Sequence, residues 1–208
     1  MCAADRLDYW SALAQRLLPL EEEPAMPPAN LEVLRSYWRG DRPLRPAAVL
    51  VGLVPRQDGL NVLLTRRQDG LSNHAGQISF PGGRVDDTDG DAICAALRET
   101  EEEVGVGAGS IRALGRVEPL ATISQFTVQP IVARLDPAYR LRLHEGEVSA
   151  AFELPLALAA RAEAWRPYAR TPDLGMRLMA LDYEGHTIWG ATAMILQRLL
   201  ERLRGLPV

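Results

Sequence analysis

Apolar residues recur along this chain at two different periods, and the switching between them predicts helices laid against a sheet. Leu7, Trp10, Leu13, Ala14, Leu17 and Leu18 share one helical face, and the Glu21-Glu22-Glu23-Pro24 run that follows stops the helix. A second, shorter helix is expected after Pro27-Pro28, from an Asn30 cap through Leu31, Leu34, Tyr37 and Trp38 to Gly40. Both read as packing helices, with a homodimer contact as the alternative. Two apolar runs, residues 47–55 and 61–65, flank an Arg56-Gln57-Asp58-Gly59 turn and predict a hairpin. Further short strands are expected over 77–80, 111–117, 127–135, 176–182 and 186–189. Residues 147–152 read as the start of an irregular or helical turn ending at Pro155, and residues 191–203 as a final helix. The sum is a mixed sheet between helices, an α/β fold.

The helix expected over residues 91–104 carries the candidate chemistry. Ala92, Ala96, Thr100 and Val104 repeat every fourth residue and, with Ile93 and Leu97, form the stripe that seats it on a core. Asp89 or Asp91 caps its start, the neighbouring Asp86 and Asp87 suit its positive end, and Gly105 stops it. Glu99, Glu102 and Glu103 then crowd one face, while Glu101 points to solvent. Like charges at that spacing repel by a few tenths of a kcal/mol per pair, so a cation set against them accounts for the cluster. Oxygen-only donors suit Mg²⁺ or Mn²⁺ rather than zinc. A run of glutamates is also the ordinary signature of a solvated helix face. Phe80-Pro81-Gly82-Gly83 upstream favours the metal, because two glycines let backbone approach a ligand or ion without an intervening side chain.

Composition narrows the classes. A chain of 208 residues suits one domain burying roughly 70% of its unfolded surface. Two cysteines, Cys2 and Cys94, make no disulfide framework and point to a reducing compartment, with Cys94 read as a small buried residue. No apolar run reaches the roughly 18 residues of a membrane span, and Asp5, Arg6 and Asp8 interrupt any signal-peptide core, so a cytoplasmic protein is expected. A net charge of -4 argues against non-specific nucleic-acid binding. A phosphate-rich small molecule would instead need a local basic patch and a metal.

Arg98-Glu99-Thr100-Glu101-Glu102-Glu103-Val104-Gly105-Val106, preceded by Gly83 and an acidic loop, resembles the signature of the Nudix hydrolases. The family's first loop glutamate is absent; Asp89 stands nearest to it, and the spacing to Arg98 is one residue longer than the common form. That lengthened, aspartate-rich loop is similar to the coenzyme A pyrophosphatase branch. Also similar are Leu63-Leu64-Thr65-Arg66-Arg67, Leu71, and His74-Ala75-Gly76-Gln77-Ile78-Ser79-Phe80-Pro81-Gly82-Gly83. Later stations are Val128-Gln129-Pro130-Ile131-Val132, Glu147-Val148, Phe152-Glu153-Leu154-Pro155-Leu156 and Ile188-Trp189-Gly190-Ala191-Thr192-Ala193. The resemblance spans about residues 47–200.

It implies a Nudix-type α/β/α sandwich with a mixed sheet over residues 46–208, and an N-terminal helical extension, residues 1–45, packed on it. It implies Mg²⁺ or Mn²⁺ held by Glu99 and Glu103, with Glu102 completing the set or holding a second ion, and Arg98 orienting a neighbouring carboxylate. Glu147 is expected as a further ligand or general base, with Glu145 and Glu153 as rivals. Arg66, Arg67 and Arg84 are candidates for phosphate contact or for surface ion pairs. His74 either meets substrate or fixes the loop before Gly82 and Gly83, and Trp189 is expected in the core. The reaction implied is hydrolysis of coenzyme A or its derivatives to 3',5'-ADP and 4'-phosphopantetheine. Alternatives are another nucleoside diphosphate derivative, such as ADP-ribose or a dinucleotide, or a non-catalytic nucleotide-binding domain. An isoprenoid-diphosphate isomerase is disfavoured, because Cys94 lies inside the helix rather than in a catalytic loop.

Overall fold

The computed structural model describes residues 7–21, 27–35, 37–38, 43–70, 75–168 and 177–208. The expected hairpin is present and longer than its apolar runs: β1 (Arg45–Arg56) pairs antiparallel with β2 (Gly59–Arg67). Gly59, at φ 138°, makes the turn that few other residues accept. Two short strands follow, β3 (Ile78–Ser79) against β2 and β4 (Gly82–Arg84) against β1. Helix α3 (Ala92–Val104) comes next, then β5 (Ile111–Arg116), β6 (Leu120–Ala121) and β7 (Phe126–Leu135). β7 runs parallel to β1, the one parallel pairing among the described residues of a sheet otherwise antiparallel there, so the sheet is mixed as expected. Its path is β3-β2-β1-β7-β5, with β4, β6 and a further strand, β8 (Val148–Pro155), attached to β1, β7 and β2.

β8 corrects the sequence reading, which gave residues 147–152 to an irregular or helical turn. Its residues pair with β2 from Arg67↔Val148 to Asn61↔Pro155. Pro155 is tolerated because it closes the strand, where its missing N–H breaks no interior rung. The helix α4 (Leu156–Ala159) starts immediately after it.

A smaller antiparallel sheet holds β9 (Trp165–Pro167), β10 (Met179–Tyr183) and β11 (His186–Ile188), ahead of the closing helix α5 (Gly190–Arg202). Met176, the expected start of β10, lies outside the described residues.

Alternation along β1 sorts the core into two layers. Ala48, Leu50 and Val54 join Ala95, Ala96 and Val104 of α3. Ala47, Val51 and Leu53 turn the other way and meet Ile195, Leu196 and Leu199 of α5. The result is a sheet between helical layers, the α/β sandwich expected. On the α5 side, α1 (Leu7–Ala14) buries Tyr9, Trp10 and Leu13, and Leu17 after it stays buried, although the helix stops short of Leu18. Leu18 instead bridges to Arg116. Helix α2 (Leu31–Arg35) is also shorter than expected. Asn30 does not cap it with its side chain; its Nδ2 donates to the Ala121 carbonyl at 2.7 Å and its Oδ1 accepts the Ala121 N–H at 2.9 Å. Buried amide on amide, this pair fastens α2 to β6. Among the described residues no helix is long and apolar enough to cross a membrane.

Candidate active site

Both ends of α3 are fixed by its own residues. Asp91 accepts the Cys94 N–H at 2.7 Å. Gly105, left-handed at φ 72°, closes the other end, its N–H donating to the Glu101 carbonyl. Ala95, Ala96, Thr100 and Val104 seat the helix, and Thr100 returns its hydroxyl to the Ala96 carbonyl at 2.6 Å. Ala92, Ile93 and Leu97 of the expected stripe pack half-buried on the same core, which also takes in Ala95. Cys94 is therefore turned outward and exposed, not buried as expected.

With α3 seated this way, Glu99 and Glu103 face the Gly82-Gly83 edge of β4. The Gly82 N–H donates to Glu103 Oε2 at 3.2 Å. A Cβ at position 83 would stand 2.4 Å from the Glu99 carboxyl carbon, so the second glycine is required for contact with that acid. Both glycines thus bring backbone against the acids.

Arg98 ties the cluster together. It donates to Asp89 Oδ1 and Oδ2 at 2.7 and 2.9 Å, to Glu99 Oε1 at 3.0 Å, to Glu102 Oε2 at 2.9 Å and to the Arg84 carbonyl at 3.1 Å. A planar guanidinium alone among cations reaches four partners in this way. Asp89 is buried, accepts the Asp86 N–H as well at 2.7 Å, and has its carboxyl drawn down to about 2, chiefly by Arg98. Both its oxygens are engaged in aiming Arg98.

Glu103 is the most perturbed acid. It is 2% exposed, and burial pushes its carboxyl up to about 7 against the opposing pull of the Gly82 N–H and Arg67. Arg67 Nη1 stands 3.6 Å away, too far for a full ion pair's hydrogen bond. Glu99 and Glu147 raise Glu103 further, and burial raises Glu99 in turn, in part offset by Arg98. A buried acid flanked by two more acids and answered by one distant arginine suits a hard divalent cation in its chemistry. Among the described residues no three such side chains already close into a cage. An open set of a few carboxylates matches an ion that keeps several waters and takes further oxygens from a phosphate.

The remaining expected residues divide. Glu102 sits on the exposed side of the cluster, held by Arg98. Glu147, exposed at the start of β8 with His144 Nδ1 3.7 Å from its Oε1, is close enough for its charge to be felt by Glu99 and Glu103. Glu145 is exposed, its carbonyl accepting from Gln68 Nε2. Glu153 lies in a different network, bound by Arg56, by Asn61 Nδ2 at 3.0 Å and by the Tyr139 hydroxyl at 2.8 Å. Arg66 donates to Asp69 and to Ser149 Oγ at 2.7 and 2.9 Å, away from the acids. His74 lies outside the described residues.

A cavity of about 410 Å³ opens beside Gly82, Gly83 and Arg67. Its walls are largely apolar, with Leu34, Leu120, Ile123, Phe126, Leu178 and Met194 among them. Trp189, expected in the core, is only partly buried: it lines this cavity and stacks on Tyr168 with ring centroids 4.4 Å apart. Ile123, Phe126 and Met194 were not singled out from sequence, and Asn30 was read only as a helix cap. They come from four separate elements and loops, and no local pattern marks them as neighbours.

A mixed sheet between helices, with an arginine-centred set of acids packed on a Gly-Gly edge beside a cleft, defines a Nudix-type domain. Residues 43–173 match the family model described as the NUDIX domain. The chain is 43% identical to the Nudix hydrolase NudL of Escherichia coli K12 over 159 residues, 74% of this chain and 81% of that protein. It belongs to the Nudix hydrolase family, whose members use divalent cations such as Mg²⁺ or Mn²⁺. Solved structures agree in fold. A Nudix hydrolase of Mycobacterium smegmatis, RenU, is 18% identical with a TM-score of 0.50, covering 81% of this chain and 92% of its own. The MutT protein of Methanosarcina mazei is 18% identical with a TM-score of 0.51, covering 80% and 99%.

Proposed function

We propose that this protein hydrolyses the diphosphate bond of coenzyme A or its derivatives, yielding 3',5'-ADP and the corresponding 4'-phosphopantetheine. One observation carries the reaction type: Glu103, buried at 2% exposure and raised to about 7, lies with Glu99 against Gly82 and Gly83 at the edge of the cavity. The choice of coenzyme A rests on the sequence resemblance before and after the acid cluster, and the largely apolar cavity suits a substrate with a long non-nucleotide arm.

In this reading Glu99 and Glu103 hold Mg²⁺ or Mn²⁺, with Glu102 completing the set or serving a second ion. A bound cation would offset diphosphate charge and make water acidic enough to lose a proton near neutral pH. Arg98 acts on the acids, not on substrate: locked by Asp89, it keeps Glu99 and Glu102 aimed. Glu147, exposed and near both ligands, serves as the base that takes a proton from the attacking water, or as a further ligand. The Gly82-Gly83 backbone, which lines the cavity with no side chain of its own, leaves phosphate oxygens free to approach the acids, and Arg67 places positive charge on the cavity wall.

Purified protein with Mg²⁺ or Mn²⁺, offered coenzyme A, acyl-coenzyme A, ADP-ribose and dinucleotide substrates, tests the assignment. Coenzyme A or an acyl form is expected to show the highest kcat/KM. Turnover of ADP-ribose well above both would assign the chain to the other nucleoside diphosphate derivatives instead.

A further inference from the structure

Three strands meet at the mouth of the cavity. Arg45 of β1 lies opposite Phe126 of β7, and Ala47, two residues along β1, lies opposite Arg84 of β4. Residues two apart on a strand share a face, so Arg45, Phe126 and Arg84 project together on the side of the sheet that lines the cavity. The Arg45 guanidinium stands 4.0 Å from the Phe126 ring centroid and that of Arg84 5.8 Å from the same centroid. Arg45 is further fixed by donating to the Ser124 carbonyl at 3.2 Å.

Two like charges on one ring repel, and the ring's negative face only partly relieves them. Neither arginine has a carboxylate partner among the described residues, although acids outnumber bases 27 to 23 in the chain. Arg56, Arg66, Arg166 and Arg202 each meet a carboxylate, while Arg16 and Arg116 donate to backbone carbonyls; what sets Arg45 and Arg84 apart is that two guanidinium groups gather on one ring at the cavity mouth. An anion is what the pair lacks. Two guanidinium forks with a combined charge of two match a phosphate dianion, whose terminal oxygens can accept from both at once. The position restricts which phosphate. Arg84 follows Gly83, against which the Glu99 carboxyl packs, so the pair lies just to one side of the place where a diphosphate meets the acids.

We propose that Arg45 and Arg84, braced on Phe126, form a subsite for a phosphate monoester carried on the ribose of the substrate, apart from the diphosphate that is cleaved. This rests on the reading of coenzyme A as substrate and adds the residues that select its phosphorylated ribose. Phe126 is a positioning residue that keeps the two forks together.

Arg45→Gln and Arg84→Gln, singly and together, test it, since both side chains are exposed and carry no core packing. Steady-state kinetics on coenzyme A and dephospho-coenzyme A should show a loss of kcat/KM on coenzyme A exceeding that on dephospho-coenzyme A by about tenfold per arginine, appearing in KM. Equal losses on both substrates, meaning contact with the diphosphate itself, overturn the subsite, as does no loss on either. Titration calorimetry with 3',5'-ADP and 5'-AMP reads the subsite without turnover. The wild type should prefer 3',5'-ADP and the double variant should not; equal affinity of the wild type for both overturns the proposal. Absence of coenzyme A turnover beside a retained 3',5'-ADP preference would instead fault the substrate assignment alone.

Discussion

Replacing either glycine of the Gly82-Gly83 pair by alanine adds one methyl group, yet the two changes should fail in different ways. At position 83 the added Cβ would meet the Glu99 carboxyl carbon and oxygens at 2.4 to 2.6 Å. Ordinary contact needs about 3.5 Å, so the carboxylate must withdraw by roughly 1 Å. Moving the far end of a side chain is cheap for the fold, but a displacement of that size in a positioned group costs about 100-fold in rate. At position 82 the Cβ would meet the Ala48 carbonyl oxygen at 2.4 Å and the Val49 Cα at 2.6 Å, with φ at 154°. Backbone cannot withdraw as a side chain does, and the strained conformation alone costs about 1–3 kcal/mol. Gly83→Ala should therefore keep its thermal melting point within a few degrees of wild type while losing about 100-fold in kcat. Gly82→Ala should lose stability first. Circular-dichroism melts beside steady-state rates in Mn²⁺ separate the two. Near-normal turnover in a folded Gly83→Ala protein would refute the idea that Glu99 must sit where it does.

Other consequences are as direct. Arg98→Lys gives up the two-toothed grip on Asp89 and at least one of Glu99 and Glu102; kcat should fall about 10- to 100-fold with the melting point little changed. Asp89 is held at about 2, below its ordinary value of 3.8, so its contribution to stability is complete above pH 4 and is lost as pH falls toward 2. Urea midpoints of wild type and Asp89→Asn should therefore differ at pH 6 and converge near pH 2; a constant gap would contradict the pairing. Glu153→Ala should cost about 1–3 kcal/mol of stability by stranding Arg56 and the Tyr139 hydroxyl, and leave kcat within twofold. Glu147→Gln should lower kcat by about 100-fold or more; a loss under tenfold would move the proton transfer elsewhere.

Local order carried the sequence reading well. The β1–β2 hairpin, α3 with its Asp91 cap and Gly105 stop, and the closing helix α5 all follow from neighbouring residues, and the acids of α3 come together because helix spacing requires it. Where the reading failed, the deciding contact lay far along the chain. β8 looked like a turn because Glu153 and Pro155 break its apolar run, yet β2 supplies a partner some 90 residues earlier and Arg56 supplies the cation for Glu153. Asn30 looked like a cap and instead fastens to Ala121. Arg66 and Arg67 are indistinguishable in sequence, and only pairing decides that Arg67 lines the cavity beside Glu103 while Arg66 is held by Asp69 and Ser149. Helix spacing places Glu102 and Glu103 together, but burial separates them: the Glu103 side chain is 3% exposed and that of Glu102 59%.

Manganese soaked into crystals and located by its anomalous scattering tests the account most directly. A peak is expected at the Gly82-Gly83 edge, within about 2.3 Å of carboxylate oxygens of both Glu99 and Glu103, and absent in Glu103→Gln. Manganese bound only elsewhere, with Glu99 and Glu103 still held by Arg98 and Gly82 as they are here, would contradict the claim that these acids exist to hold a cation.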